Sequence, residues 1–326
     1  MRSIELSNRM HANVTSLWMV GVALAFTLLT GGLSTVLPAQ GDLGLALPSP
    51  GLWPLPPLWS AAINLALNGL IMVMMLAING TFNVLRSSSR LHVGLFAIMQ
   101  AAVPSEVLVF NSGTILALAV LICIFLMLSC WEHPWPMRRV FLVFVILSLG
   151  SAVQYCFLVY IPVFLLICAQ LRIFNSRTVL AAFLGCATVW INLFGFGIIN
   201  IHDLHLPVIQ SIFEASDLLN VLYMLIVAGF TAVLLLTATL LNVVKTISYN
   251  ARSRAYNGAL VLVALVTLVA MLANYNNTLA YLPLLNVCAA YQLTHYFVNH
   301  TFDRQYVAVL SVAGVYVLLY LWRIVI

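Results

Sequence analysis

Apolar residues in this chain fall into long blocks separated by short polar connections, and neither a sustained period of two nor an amphipathic period of 3.6 dominates. A helix needs about 20 apolar residues to cross a hydrocarbon core. On that criterion the blocks predict spans near 14–36, 59–83, 91–108, 114–130, 138–153, 155–171, 179–199, 220–241, 256–273, 279–297 and 306–323. The stretch from Val140 to Leu171 is ambiguous by length alone. At about 1.5 Å per residue it is too long for one straight span and short for two.

Charge resolves it. Basic residues occur as Arg2 and Arg9, Arg86 and Arg90, Arg138 and Arg139, Arg172 and Arg177, then Lys245, Arg252 and Arg254, then Arg304, always in every second connection. Twelve of the 13 Lys and Arg therefore share one side, with Arg323 the exception. Basic loops stay in the cytoplasm, so the segment between Arg139 and Arg172 crosses an even number of times and turns near Gln154-Tyr155. The expectation is an all-α, polytopic helical membrane protein of about 11 transmembrane helices, with a cytoplasmic N-terminus and an extracytoplasmic C-terminus. A single transmembrane domain, 1–326, is expected, with a first outer loop at 37–58 and a fourth at 200–219.

Composition agrees: 63% of residues are hydrophobic and 6% charged, and the mean hydropathy is +1.09. A soluble chain carries about 25% charged residues. The net charge of +5 is scattered between spans in small groups, which marks topology and not a nucleic-acid surface. The cysteines Cys123, Cys130, Cys156, Cys168, Cys186 and Cys288 all lie in or beside apolar runs without a C-x-x-C pair, and read as small core side chains. The first apolar run ends without a small-residue cleavage site, so an uncleaved first span is expected.

Candidate chemistry gathers on the predicted outer side, which receives five of the eight carboxylates: Asp42, Glu106, Asp203, Glu214 and Asp217. The first outer connection holds six prolines, Trp53 and Trp59, and one charge, Asp42 between Gly41 and Gly44. It should lie folded at the headgroup level. Asp42 reads either as a reactive carboxylate approached by bare backbone or as a Gly-Asp turn. Glu106 follows Pro104-Ser105; Ser105 and Glu106 are placed to cap or begin a short helix after the break, with the carboxylate near the lipid boundary.

The stretch Asn200–Asn220 is the longest acidic interruption of the chain, with His202, Asp203, His205, Glu214 and Asp217. Pro207 suits a first helical turn, after which Gln210, Glu214 and Asp217 share a face opposite Ile209, Ile212 and Phe213. This is the pattern of a helix lying on a membrane surface. His202-Asp203-x-His205 lacks a fourth defined ligand, so no metal is assigned, and no cofactor is expected. Both enlarged outer loops are too apolar to float free, so they are expected to meet. Within the spans, Asn64, Asn68, Asn79, Asn192, Gln292 and His295 are expected to hydrogen-bond neighbouring helices. Walker, G-x-S-x-G and H-E-x-x-H motifs are absent, as is any visible internal repeat.

Two resemblances bear on function. Residues 144–195, with Gly150-Ser151, Pro162, Arg172-Ile173-Phe174, Ser176-Arg177 and Gly185, resemble a family of uncharacterised inner-membrane proteins of the Bacteroidetes, as does Leu282-Pro283 through Tyr296-Phe297. This likeness implies a bacterial inner membrane and no assigned activity. The layout, with the first and fourth outer loops the longest, resembles C-type membrane glycosyltransferases. That resemblance implies a polyprenyl-phosphate-linked sugar as substrate, Asp42 as catalytic base, Glu106 as a second acid, and a cleft completed by His202, Asp203, His205, Glu214 and Asp217. The chain departs from that pattern in having no outer Arg or Lys except Arg323 to meet a donor phosphate, which leaves His202 and His205 as substitutes. Beside this enzyme reading stand two others: a transporter or flippase of an envelope lipid or small solute, and a noncatalytic partner of an envelope assembly. All three have membrane lipid as their surroundings and involve no nucleic acid.

Overall fold

The computed structural model describes residues 2–33, 45–133, 135–200, 202, 204, 218–274, 277–299 and 305–325. Among these, twelve α-helices and two short 3-10 turns account for the regular structure, with no strand. The helices are α1 (Arg2–Leu33), α2 (Pro57–Phe82), α3 (Leu91–Ala101), α4 (Pro104–Leu108), α5 (Ser112–Leu128), α6 (Met137–Val153), α7 (Tyr160–Gln170), α8 (Ser176–Gly195), α9 (Leu218–Thr246), α10 (Ala251–Ala273), α11 (Thr278–Asn299) and α12 (Gln305–Val325). Each predicted apolar block contains a helix, and the second of the doubtful pair, α7, is entered through a 3-10 turn at Tyr155–Val159. The turn falls where charge alternation required it: the Gln154 N–H closes α6 on Gly150 O at 2.8 Å, and the next residue starts the 3-10 turn.

Six of these helices contain segments long and apolar enough to cross a membrane: Asn13–Gly31, Pro57–Phe82, Ser176–Gly195, Leu222–Thr246, Ala251–Ala273 and Val307–Ile324. The chain is therefore read as a multi-pass membrane protein. Most of these helices present large apolar side chains outward, as with Leu17, Trp18, Leu28, Phe183, Leu240, Val244 and Leu318. The interior helices are of a different kind. Every residue of α3 is buried, and so is almost all of α11 between Ala280 and Leu293, although α11 carries Pro283, Asn286 and Gln292. Helices covered by protein are released from the requirement to be uniformly apolar, so they can be short, broken or polar. The core helix α11 packs against α3, α5, α9 and α10.

Contacts gather the basic connections at one end of the bundle. Arg86 lies over the Tyr249 ring at 4.3 Å, the Arg90 N–H donates to Asn13, and Arg252 Nε donates to the Tyr256 hydroxyl, which itself donates to Leu128 O. Arg323 sits at the other end, over Tyr223. That end also collects the described part of the connection between α1 and α2: the Ala46 and Leu47 N–H groups both donate to Ala152 O, and Trp53 lies against Phe110. Ala46 and Leu47 pack with Val189, Leu193 and Ile199, the approach to the second enlarged connection. Leu43, Ile209, Ile212 and Phe213 lie outside the described residues.

All six cysteines are free thiols and none but Cys186 is more than slightly exposed, as expected of small core side chains. Several tyrosine hydroxyls in the interior are paired across helices. Tyr160 bonds Thr267, Tyr291 donates to Met75 O, and Tyr316 bonds Thr231. Such bonds join helices where lipid offers apolar side chains no reason to associate.

Candidate functional site

The site forms where α3 breaks. Proline has no N–H and disfavours helical geometry in the residue before it. Val103, preceding Pro104, is accordingly extended at φ −111 and ψ 96, and the chain restarts as the single turn α4 with Pro104 in its first turn. Irregular backbone at this depth survives only when its freed groups find partners within the protein. Tyr223 OH donates to Ala102 O, and the Glu106 N–H returns to Val103 O at 3.0 Å. Asn64 Nδ2 donates to Glu106 O at 2.7 Å and to Val107 O at 3.0 Å, so α2 holds the broken segment by its carbonyls. Asn111 then caps α5, its Oδ1 accepting from the Thr114 N–H at 3.0 Å, and the Thr114 hydroxyl donates to Asn64 Oδ1 at 2.8 Å.

Glu106 lies inside this arrangement with 0% exposure. Ser105 and Glu106 begin the short helix as expected, but neither caps it, since Val103 occupies the capping position without a side-chain bond. The carboxyl is enclosed by protein on all sides. Asn64 of α2 meets the Glu106 and Val107 carbonyls and Tyr223 of α9 meets that of Ala102, and these bonds hold the broken segment within the bundle. Its Oε2 accepts from Asn111 Nδ2 at 3.2 Å and, at the limit of a hydrogen bond, from Gln100 Nε2 at 3.5 Å. Its Oε1 has no hydrogen-bond partner, nor do Oδ1 of Asn68 and Oδ1 of Asn286.

A second polar layer lies nearer the basic end. Asn242 Nδ2 donates to Gln292 O and Oε1 at 2.8 and 3.0 Å, Gln292 Nε2 to Asn257 Oδ1 at 3.2 Å, and Asn257 Nδ2 to the Thr246 hydroxyl at 3.1 Å. Asn286 and Gln292 are six residues apart on α11, about 9 Å along its axis. Between them stand Val287, Cys288, Ala289, Ala290 and Tyr291, all buried. Below the second layer, His295 meets Tyr249 edge-on, under Arg86. Two polar layers thus lie along the buried helix α11, and the stretch between them includes Tyr291, stacked on the buried His92 ring of α3 at 5.2 Å.

The other residues expected in a site are placed differently. Asp42, Asp203, His205, Glu214 and Asp217 lie outside the described residues. His202 is described and exposed. Asn64 bonds across to the broken segment as expected; Asn68 reaches Glu106 O only at 3.5 Å and bonds Asn64 O of its own helix at 3.0 Å, and Asn79 bonds Ser87 O and the Leu85 N–H in the connection that follows its own helix instead of a neighbouring one. Asn192 instead donates to Thr188 O of its own helix and is exposed. Gln100, Asn111, Thr114, Asn242, Asn257 and Asn286 were not foreseen as site residues. Their one visible sign is a polar side chain inside or capping an apolar run. Among the described residues no group of three or more His, Cys, Asp and Glu gathers to hold a metal.

No protein-family model matches the chain, and no curated protein or solved structure matches it either.

Proposed function

We propose that this protein is a transporter of a small solute in a bacterial cytoplasmic membrane, crossing it eleven times with its N-terminus inside and its C-terminus outside. The observation that carries the reading is a fully buried carboxyl, Glu106, at the break between α3 and α4. Ionisable groups at such depth are costly and are found where ions or solutes pass. Discontinuous helices at the centre of a bundle are the usual way of building that passage, because a break exposes carbonyls and helix ends that a continuous helix conceals. The buried stretch between the Asn286 and Gln292 layers, which includes the His92–Tyr291 stack, is a barrier that must open for passage.

Alternating access can be tested without knowing the solute. In a background with the six cysteines replaced by Ala, Ala102→Cys puts a thiol at the break, where Ala102 is 0% exposed. An impermeant thiol reagent should label it in both right-side-out and inverted vesicles. Labelling from one face only, or from neither, would refute the reading.

Lipid-linked sugar transfer by Asp42 is the competitor. Glu106, the second acid of that reading, is fully enclosed among amides, a setting that suits ion capture better than activation of a bulky acceptor. Wild-type protein supplied with polyprenyl-phosphate sugars should show no transfer. Transfer that falls by about two to four orders of magnitude in Asp42→Asn would put the enzyme in place of the transporter.

A further inference from the structure

The three unpartnered oxygens around the break share a property that follows from the hydrogen bonds beside them. An amide's oxygen and nitrogen can be told apart only by what they bond. Here the main-chain carbonyls decide. Asn68 Nδ2 faces Asn64 O at 3.0 Å, and Gln100 Nε2 faces Glu106 O at 3.4 Å, so in both cases the nitrogen must be the group pointing at a carbonyl. Gln100 is then left with its oxygen free, and Asn286 must present its nitrogen to that oxygen, at 3.0 Å. The atom left without any partner on Asn68, Asn286 and Glu106 is oxygen in every case. The one side-chain amide donor not engaged is the second N–H of Asn286 Nδ2, whose other N–H is given to Gln100. The network has a surplus of acceptors, and a carboxyl is among them.

A fourth oxygen is freed nearby. Pro283 in α11 cannot donate to the carbonyl one turn before it, Leu279 O. That carbonyl lies so close to Gly113 of α5 that a Cβ there would overlap it. Gly113 stands between the cap Asn111 and Thr114, so the released carbonyl approaches the same region as Glu106.

We infer that this cluster of unpartnered oxygens binds a sodium ion, with Glu106, Asn68 and Asn286 as side-chain ligands. The inference rests on the transport reading and names the ion that would drive it. A hard cation takes oxygen ligands, and a single carboxylate neutralises a single charge. Mg²⁺ would keep several waters, and the site is closed: Glu106 and Asn286 are 0% exposed and Asn68 is 4% exposed. The same closure excludes an organic ammonium, which otherwise has donors to match three acceptors. Unwound or released carbonyls beside a broken helix are the kind of group that coordinates Na⁺ in transport proteins.

The test is equilibrium binding of ²²Na⁺ to the purified full chain in lipid nanodiscs, competed with K⁺, choline and methylammonium. Saturable binding displaced by unlabelled Na⁺ but not by the other three is expected. Glu106→Gln and Asn286→Leu should each weaken it at least tenfold, whereas Asn192→Ala, an exposed amide on α8, should leave it unchanged. Tryptophan fluorescence and size-exclusion behaviour matching the wild type establish that the variants fold. If Asn286→Leu does not fold, Glu106→Gln, which keeps the side chain's size, decides alone. Wild-type protein that binds no Na⁺, that takes up only protons, or that prefers methylammonium overturns the inference. So does unchanged binding in folded Glu106→Gln. Two-sided labelling of Ala102→Cys without Na⁺ binding would leave transport standing and remove only the ion.

Discussion

Asn64→Ala should be among the most damaging single changes in this protein, although it removes only a short polar side chain from a helix that is otherwise apolar. The native amide makes three well-formed bonds: to Glu106 O at 2.7 Å, to Val107 O at 3.0 Å, and from the Thr114 hydroxyl at 2.8 Å. Interhelical hydrogen bonds in a membrane are worth about 0.6 kcal/mol on average, and buried ones in general about 1 kcal/mol. Three together give a loss of about 2–3 kcal/mol, with Val107 O left without its side-chain donor. Glu106 O would retain only long contacts from Asn68 and Gln100, at 3.5 and 3.4 Å. Equilibrium unfolding in mixed dodecylmaltoside and SDS, followed by tryptophan fluorescence, measures the loss. A double-mutant cycle with Thr114→Val isolates one of the three bonds and should give a coupling of about 1 kcal/mol. Asn192→Ala, which breaks only a bond within its own exposed helix, serves as the control. An Asn64→Ala protein within about 0.5 kcal/mol of wild type, and additive with Thr114→Val, would mean that α2 does not hold the broken segment.

Gly113→Ala should destabilise by about 1–3 kcal/mol because its Cβ would overlap Leu279 O and meet the Pro283 ring carbons at 3.0 Å, whereas Gly69→Ala, with open space around it, should be neutral or gain up to about 1 kcal/mol of helix propensity. The same unfolding assay compares them, and equal stability would contradict the close approach of α5 to α11. Reporter fusions after Arg90 and after Arg254 should read cytoplasmic and one after Asp217 external; a cytoplasmic signal at Asp217 would reverse the proposed orientation.

The local character of the chain is legible in its residues. Blocks of about 20 apolar residues can satisfy their backbone in lipid only as helices, so the positions of the helices follow from composition. The restriction of Arg and Lys to alternate connections separates the two ends of the bundle, and the structure brings Arg86 to Tyr249 at one end and Arg323 to Tyr223 at the other. The break at Val103-Pro104 is equally local, being a property of the proline ring. What the sequence could not supply is the company each buried polar group keeps. Asn64 meets Glu106 across 42 residues, and Asn286 meets Gln100 across 186. An isolated amide in an apolar run has no period that points to its partner. Its partner is chosen when α11 is enclosed by α3, α5, α9 and α10, and that enclosure depends on side-chain packing along whole helices. The position of Glu106 shows the difference most directly. Its neighbours in sequence put the carboxyl at a helix start, and nothing local indicates that Asn64 and Asn68 of α2 and Gln100 of α3 would enclose that segment.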